Sequence, residues 1–287
     1  DHRDLHVRSR RQRQMCIRDS SKLVRRLNDN EIVQYEDKGY IKGLPVFSKG
    51  GVKDLQKLFL DLSNRLPAGV NINKTNMWHK ASKKFYDLAH TPAILDYVED
   101  LLGPNFFLWG GQFFYKAAKS KGVVPWHQDS QYWPLNPSNS VTVWLAVYDT
   151  DKSNSAMKIV SESHKTKKFL HKINDDKNYD LNQEVSNDQI DKEKIVYMNL
   201  KAGEISLHSD ALLHGSDANH SNNPRCGITL RYSPSNVKAD LSEWPFFSVQ
   251  IARGETNHSL NPIAPIPRGE ATPVKGFQFH HEFESEW

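Results

Sequence analysis

The nine residues Trp126–Pro134 (WHQDSQYWP) hold a histidine and a carboxylate two positions apart, among large aromatic side chains. Side chains at positions i and i+2 of a β-strand point to the same face, so a strand here presents His127 and Asp129 side by side. An imidazole and a carboxylate in this arrangement offer two ligands to a divalent metal ion. The pattern is short, however, and an exposed histidine beside a solvated aspartate is its more frequent explanation when it occurs alone.

A third ligand would favour the metal site. The downstream histidines that the sequence offers are His164, His171, His208, His214 and His220. His208 and His214, in GEISLHSDALLHGS, are flanked by apolar residues, whereas the other three lie in polar or turn-like surroundings. The residues alone leave both open, because either one is also explained as a satisfied histidine in the core.

Two histidines and one carboxylate on one face of an octahedron are the ligand set of non-haem Fe(II) oxygenases. The three open positions accept a bidentate 2-oxoacid and dioxygen. A 2-oxoacid with a second, distal carboxylate also needs a guanidinium that stays charged and pairs with it in a bidentate manner. Arg225 and Arg231 follow His214 and are both candidates for that role.

Several motifs in order along the chain carry a family resemblance. WHQDSQYWPLNP, VTVWLAVYD, IVSESHK and LLHGSDANHSNNPRCGITLRYSP, together with GGQFFYK and DYVEDLLGPN, resemble the phytanoyl-CoA dioxygenase family of Fe(II)/2-oxoglutarate-dependent oxygenases. The resemblance covers roughly residues 31–255. It implies a mainly β fold with flanking helices, namely a double-stranded β-helix (jelly roll, cupin-like) with helices packed on one outer face.

The resemblance also implies a catalytic centre. His127, Asp129 and His214 fall on the three metal ligands of the family, so His214 is the expected third ligand rather than His208. The arginine of the family that binds 2-oxoglutarate lies eleven residues after the distal histidine, which is Arg225 here. The further positions that contact or wall the cosubstrate in relatives fall on Lys116, Trp144 and Ser216.

The resemblance implies a reaction as well. Halogenating relatives carry a small residue at the carboxylate position, so the intact Asp129 implies hydroxylation. The expected enzyme uses Fe(II), with 2-oxoglutarate and O2 as cosubstrates, to hydroxylate a C–H bond of a small molecule and to release succinate and CO2. We predict that Gln131, Tyr132 and Trp133 wall the substrate pocket, although packing in the core explains the aromatic residues equally well.

Two other functions are considered. A non-catalytic, metal-binding jelly-roll (cupin-like) protein, acting as a binding or sensor protein, needs the same ligands but has no use for Arg225. A zinc hydrolase needs a general base near the metal, which the H-x-D pattern does not supply. The sequence contains no phosphate-binding glycine loop, no dinucleotide-binding glycine motif and no C-x-x-C pair. An Fe(II)/2-oxoglutarate-dependent dioxygenase is therefore the leading prediction.

Predicted helices precede the strands that carry these residues. Hydrophobic periodicity predicts a short helix and a strand in residues 31–48, a helix capped by Ser48, and helical segments after Ser82 that Pro92 interrupts and Gly103 ends. The second helix presents one apolar face, consisting of Leu55, Leu58, Phe59 and Leu62. After Pro104, short strands between turn residues predict an antiparallel sandwich or barrel. We interpret the polar stretch 165–194 as an excursion over one mouth of the barrel.

Residues 1–20 differ from the rest of the chain. They hold six arginines and three aspartates without apolar periodicity, and we expect a non-native or disordered segment there. Residues 21–287 are predicted to be a single jelly-roll oxygenase domain with N-terminal helices and an extended C-terminal arm. The segment carries +3 of the net charge of +4, so the remaining chain shows no electrostatic footprint for nucleic acid.

Cysteine content and hydropathy limit the expected cellular location and membrane association. Outside the first twenty residues Cys226 is the only cysteine, which excludes an internal disulfide there and favours a reducing, cytoplasmic location. No apolar run approaches the roughly 18 residues needed to span a bilayer, so no membrane partner is expected. The expected partner is a small-molecule substrate, and the oligomeric state is left open.

Overall fold

The computed structural model describes residues 27–166, 168–255 and 259–273. The segment 1–20, predicted to be non-native or disordered, lies outside the described residues, as does the end of the predicted C-terminal arm. Within these ranges no helix has both the length and the apolar character required to cross a membrane.

The helices come first along the described chain. They are α1 Asp29–Lys38, α2 Lys49–Ser63, α3 Trp78–Ala81, α4 Lys83–Ala89 and α5 Pro92–Leu102. The predicted cap at Ser48 is confirmed, because its hydroxyl accepts a hydrogen bond from the Gly51 amide. The predicted helical segment after Ser82 is also present, and the Ser82 hydroxyl caps it by accepting from the Phe85 amide. Helices α4 and α5 are separate because proline restricts the residue before it and donates no amide hydrogen, and Gly103 then ends α5.

The strands follow, apart from the first. They are β1 Tyr40–Pro45, β2 Phe106–Lys116, β3 Val124–His127, β4 Leu135–Asn136, β5 Val141–Ala146, β6 Lys158–Val160, β7 His171–Ile173, β8 Gln183–Val185, β9 Ile195–Tyr197, β10 Glu204–Ser209, β11 His214–Ser216, β12 Arg225–Pro234, β13 Lys238–Ala239 and β14 Gln250–Arg253. A six-stranded sheet, here the major sheet, has the order β1-β10-β5-β12-β2-β14. A four-stranded sheet, the minor sheet, has the order β3-β11-β6-β9. All pairings within both sheets are antiparallel.

The two faces of the major sheet differ in chemistry. Alternate residues of β5 and β12, among them Val143, Leu145, Ile228 and Leu230, pack with the apolar face of α2 in the largest core cluster. The residues between them point the other way, because side chains alternate along a strand. That second face carries polar residues and faces a cavity. The prediction of a mainly β jelly roll with helices on one outer face is confirmed.

One predicted strand is shorter than expected. The strand predicted over WHQDSQYW ends at His127, and a 3-10 turn occupies Asp129–Gln131. The Ser130 amide donates to the carbonyl of Asp210 at 2.9 Å, in the connection between β10 and β11, which draws the backbone away from the strand direction. His127 and Asp129 are therefore brought together by a strand end and a turn, and the argument from strand alternation was wrong.

The polar excursion 165–194 contains more structure than its composition suggested. Strands β7 and β8 form a small hairpin within it. Backbone hydrogen bonds join Val123, just before β3, to Asn178 and Asp180 at 2.8 Å each. Asp180 and Leu181 line the cavity of the barrel, so this segment covers the cavity as predicted.

Candidate active site

Three predicted metal ligands converge inside the barrel. His127 ends β3, His214 begins β11, and the two residues are direct partners in the antiparallel ladder. The Asp129 Oδ1 atom lies 3.8 Å from Nε2 of His127 and 3.9 Å from Nε2 of His214. The ligand atoms of all three lie within 4.8 Å of one another, and all three residues are buried. This spacing suits one metal ion held on one side.

The histidine rings are oriented by the backbone. Nδ1 of His127 lies 2.8 Å from the carbonyl of Pro125, and Nδ1 of His214 lies 2.9 Å from the carbonyl of Leu212. A carbonyl only accepts, so each Nδ1 carries the hydrogen and each Nε2 keeps its lone pair for a metal. Burial, followed by the neighbouring His214, lowers the pKa of His127 well below its usual value, which keeps the ring neutral. The donor set therefore fits a divalent transition metal such as Fe(II).

His208, the other candidate for the third ligand, lies beside this group. Its ring centroid is 5.0 Å from that of His214, and the residue lines the cavity. It is not one of the three residues whose ligand atoms meet, which are His127, Asp129 and His214. The structure therefore brings together the set that the family resemblance implied and leaves His208 on the adjoining wall.

Arg225 begins β12 and lines the same cavity while being only 3% exposed. Its Nε and Nη1 atoms are buried without a hydrogen-bond partner among the described residues. Its guanidinium carbon lies 5.3 Å from the centre of the Trp144 ring. Burial lowers the pKa of Arg225 to about 10, so it remains charged at neutral pH. Buried donors without partners are costly, and a carboxylate entering the cavity would satisfy them.

Lys116 and Ser216 support this end of the cavity. Lys116 is the ladder partner of Arg225, and its Nζ donates to the Ser216 hydroxyl at 2.8 Å and to the Asp217 carbonyl at 2.7 Å. Burial first, and then Arg225, lowers the pKa of Lys116 to about 7. Ser216 and Trp144 line the cavity, whereas Lys116 is not among its lining residues. Lys116 thus holds Ser216 in place rather than facing the cavity.

The residues predicted to wall the substrate pocket do not line this cavity. Tyr132 and Trp133 join an apolar cluster with Trp109, and the Tyr132 hydroxyl donates to the carbonyl of Gln183 at 3.3 Å. Gln131 is likewise absent from the cavity lining within the described chain. The reason is the 3-10 turn after His127, which leads these side chains off the strand.

Other residues form the wall instead. Those that we did not name as candidates are Asn73, Lys74, Gln112, Phe114, Val124, Thr142, Met157, Asp180, Leu181, Gly215 and Thr229. His208 and Arg231, the alternatives to His214 and Arg225, also line the cavity. Strand alternation gave a usable signal for some of them, since Thr142 and Trp144 share one face of β5, as Arg225, Thr229 and Arg231 share one face of β12. Asp180 and Leu181 carry no such signal, because they lie in a charged segment without periodicity.

Comparison with known proteins identifies a family. Residues 35–227 match the family model described as "Phytanoyl-CoA dioxygenase (PhyH)". A Dictyostelium discoideum protein named "Phytanoyl-CoA dioxygenase domain-containing protein 1 homolog" is 26% identical over 190 residues, which are 65% of this chain and 65% of that protein. The chain thus spans slightly less than two thirds of the length of that relative.

Two further proteins are similar to the chain. The "Probable alpha-ketoglutarate-dependent hypophosphite dioxygenase" of Stutzerimonas stutzeri is 23% identical over 234 residues, covering 74% of this chain and 78% of that protein. The solved structure "non-heme monooxygenase; ThoJ apo" superposes with a TM-score of 0.70 and 22% identity, over 83% of this chain and 89% of that one. At this level of identity the structural likeness shows a shared fold.

Proposed function

Because the chain belongs to the phytanoyl-CoA dioxygenase family, we propose that it is an Fe(II)/2-oxoglutarate-dependent dioxygenase that hydroxylates a C–H bond of a small molecule. A single observation carries the proposal: one cavity contains both a cluster of two histidines and one aspartate and a buried arginine with unsatisfied donors. A metal site alone explains the first feature only. The second feature calls for a carboxylate ligand.

In this proposal each residue has a defined task. His127, Asp129 and His214 hold Fe(II) through two neutral imidazoles and one carboxylate. Arg225 binds the distal carboxylate of 2-oxoglutarate, with Trp144 beneath its guanidinium and Ser216 in the wall of the same cavity. The bound iron and 2-oxoglutarate together supply the activation of O2, with release of succinate and CO2. The protein contributes orientation and a buried, enclosed wall that limits contact with water.

The carboxylate of Asp129 is oriented for metal binding. Its Oδ2 lies 3.4 Å from the hydroxyl of Thr142, which donates to it, while Oδ1 faces the two histidines. One oxygen is thus oriented by the wall and the other is directed to the metal. This arrangement supports a three-residue ligand set, and hence hydroxylation rather than halogenation. We further propose that the enzyme acts in the cytoplasm as a single domain over residues 21–287.

The test is an anaerobic titration of the chain with Fe(II) and then with 2-oxoglutarate, followed by measurement of succinate after O2 is admitted with a panel of small molecules. We expect Fe(II)-dependent binding of 2-oxoglutarate and succinate release with at least one compound. Arg225→Ala should weaken 2-oxoglutarate binding on the order of a hundredfold and leave Fe(II) affinity unchanged, because it removes a buried charge partner. Ser206→Ala, on β10 and outside the cavity lining, is the matched control.

Two results would contradict the proposal. Equal 2-oxoglutarate affinity in Arg225→Ala and in the unmodified chain would remove the cosubstrate role of Arg225. Tight Fe(II) binding without any 2-oxoglutarate binding would instead favour the non-catalytic jelly-roll protein considered from the sequence.

A further inference from the structure

Three cavity residues lie in one row across the major sheet. Thr142 on β5 is the ladder partner of His208 on β10 and also of Arg231 on β12. Residues directly opposite one another in neighbouring strands project to the same face with their Cβ atoms about 5 Å apart. All three line the cavity, so we call His208, Thr142 and Arg231 the polar row.

The polar row adjoins the metal cluster. The Thr142 hydroxyl lies 3.4 Å from Oδ2 of Asp129, and the His208 ring centroid is 5.0 Å from that of His214. Arg225, by contrast, lies six residues before Arg231 on β12, which corresponds to a Cα separation of roughly 20 Å along a strand. A ligand held by the polar row therefore sits beside the metal, at another part of the cavity from the Arg225 site.

The His208 ring has no hydrogen-bond partner within the described residues. It is 1% exposed, and neither Nδ1 nor Nε2 makes a hydrogen bond there. His79 is also buried with both ring nitrogens unpaired, but it does not line this cavity, and its ring lies close to Gly111. Of these two histidines only His208 faces a space that a ligand can enter. An imidazole placed there offers an N–H donor to an oxygen atom of that ligand.

The charge of the polar row comes from Arg231. Its guanidinium carbon lies 5.2 Å from the centre of the Trp133 ring and 5.8 Å from that of Trp109, and the residue is 2% exposed. The carboxylate of Asp129 acts electrostatically on Arg231 and is also one of the proposed metal ligands. In the chain loaded with Fe(II) and 2-oxoglutarate, the carboxylates of Asp129 and of the 2-oxoacid group would offset the charge of Fe(II), so Arg231 adds a positive charge that favours an anion.

We propose that the polar row is the substrate site, and that it binds an anionic oxygen group of the substrate, such as a carboxylate or phosphonate, with His208 donating a hydrogen bond to it. This inference rests on the proposed function, because it names the class of compound that the oxygenase hydroxylates. Thr142 lies next to His208 in the row, and Arg231 lies on the other side of Thr142. The carbon that is hydroxylated then lies near the anionic group, since the row adjoins the metal.

The test is calorimetric binding, without O2, to the chain loaded with Fe(II) and 2-oxoglutarate. The probes are acetate, methylphosphonate and hypophosphite, each at millimolar concentration, with acetamide as the uncharged counterpart of acetate. We expect at least one anion to bind and acetate to bind more tightly than acetamide. His208→Leu, which preserves bulk without a donor, should weaken the anion about tenfold to a hundredfold. His208→Gln, which restores a donor, should recover part of the loss.

Controls separate this inference from the proposed function. Ser206→Ala, two residues earlier on the same face of β10, should bind the anions as the unmodified chain does. 2-Oxoglutarate affinity, measured in the same samples, should stay unchanged in both His208 variants. If the unmodified chain does not bind 2-oxoglutarate, that result counts against the proposed function. With that binding intact, the inference is overturned if no anion binds, if acetamide matches acetate, or if His208→Leu and His208→Gln both keep full affinity.

Discussion

The minor and the major sheet contribute to the cavity in different ways. The minor sheet has strands of three or four residues, and its ends, with one adjoining turn, supply His127, Asp129 and His214. The major sheet includes strands of ten and eleven residues, and it supplies Trp144, Arg225 and the polar row. Short strand ends allow ligands to converge on one point. Long strands instead space their residues along a wall, where each position meets a different part of a bound molecule.

The two sheets also differ in what fixes their side chains. The histidines of the minor sheet are held by backbone carbonyls two residues earlier in the chain. The cavity residues of the major sheet are held by a sheet whose opposite face is packed against helices. We therefore expect all-or-none effects when a ligand is removed from the minor sheet, and graded effects along the major sheet.

Loss of a metal ligand should give the largest effect. His214→Ala removes one of three ligand atoms, so we expect no measurable Fe(II) binding in an anaerobic titration and no succinate release. His208→Leu is the matched control, because it removes the neighbouring histidine of the major sheet and should keep Fe(II) affinity. If His214→Ala bound Fe(II) as the unmodified chain does, or if His208→Leu lost the metal, the two sheets would not differ in the way described.

Asp210, in the connection between the two sheets, should make the folding stability depend on pH. Asp210 joins β10 to β11 and accepts hydrogen bonds from the Ser138 hydroxyl at 2.8 Å and from the Ser140 amide at 3.1 Å. Burial raises the pKa of Asp210 to about 6, while the unfolded chain has the ordinary value of 3.8. Between these two pKa values Asp210 is protonated in the folded chain and ionised in the unfolded chain. Its contribution to the free energy of unfolding therefore falls by about 3 kcal/mol as pH rises from 4 to 6.

Asp210→Asn should remove that fall. The free energy of unfolding of the metal-free chain, measured in urea from pH 4 to pH 7, should decline less with pH in the variant than in the unmodified chain. The gap between the two should therefore grow in favour of the variant as pH rises. Parallel curves for the two proteins would show that Asp210 does not titrate in this range.

A change within the major sheet should give a smaller effect that spares the metal. A Cβ atom added to Gly227 would lie 2.0 Å from Cζ2 of Trp144, so the ring must move from its place beneath Arg225. We expect Gly227→Ala to raise the KM for 2-oxoglutarate roughly tenfold, which corresponds to 1.4 kcal/mol, with unchanged Fe(II) affinity. Gly50→Ala is the control, because its added Cβ would meet no atom closer than 3.7 Å. Unchanged KM in Gly227→Ala would show that Trp144 does not position Arg225.

The difference between the sheets also explains what could be predicted from the sequence. The helix cap at Ser48, the helix after Ser82 and the strands after Pro104 followed from local patterns, and the family resemblance and jelly-roll fold were confirmed. The cavity wall was harder to predict. Tyr132 and Trp133 do not line the cavity because a turn redirects them, and one hydrogen bond of that turn, from Ser130 to Asp210, joins residues far apart in sequence. Asp180 could not be found because its position depends on pairing between segments without periodicity.

A change at the attachment of the excursion should have the smallest effect on catalysis, because only Asp180 and Leu181 of the excursion line the cavity. The Gln128 side chain is 1% exposed, accepts from the Phe169 amide at 2.9 Å and donates to the Ala211 carbonyl at 2.7 Å. Gln128→Ala leaves both backbone groups without this partner, at a cost of about 1–3 kcal/mol for each group that stays buried. Since the excursion carries Asp180 and Leu181 but none of the proposed metal ligands, we expect faster amide exchange in β7 and β8 and a severalfold rise in substrate KM, with Fe(II) affinity unchanged.

Gln189→Ala is the matched control, because the side-chain amide of Gln189 bonds, among the described residues, to Leu170 within the excursion. It should alter exchange locally and leave substrate KM unchanged. Equal effects of the two variants would mean that Gln128 does not fasten the excursion to the strand end that carries His127. A loss of Fe(II) in Gln128→Ala would point to a different coupling, in which the cover of the cavity and the metal ligands form one cooperative unit.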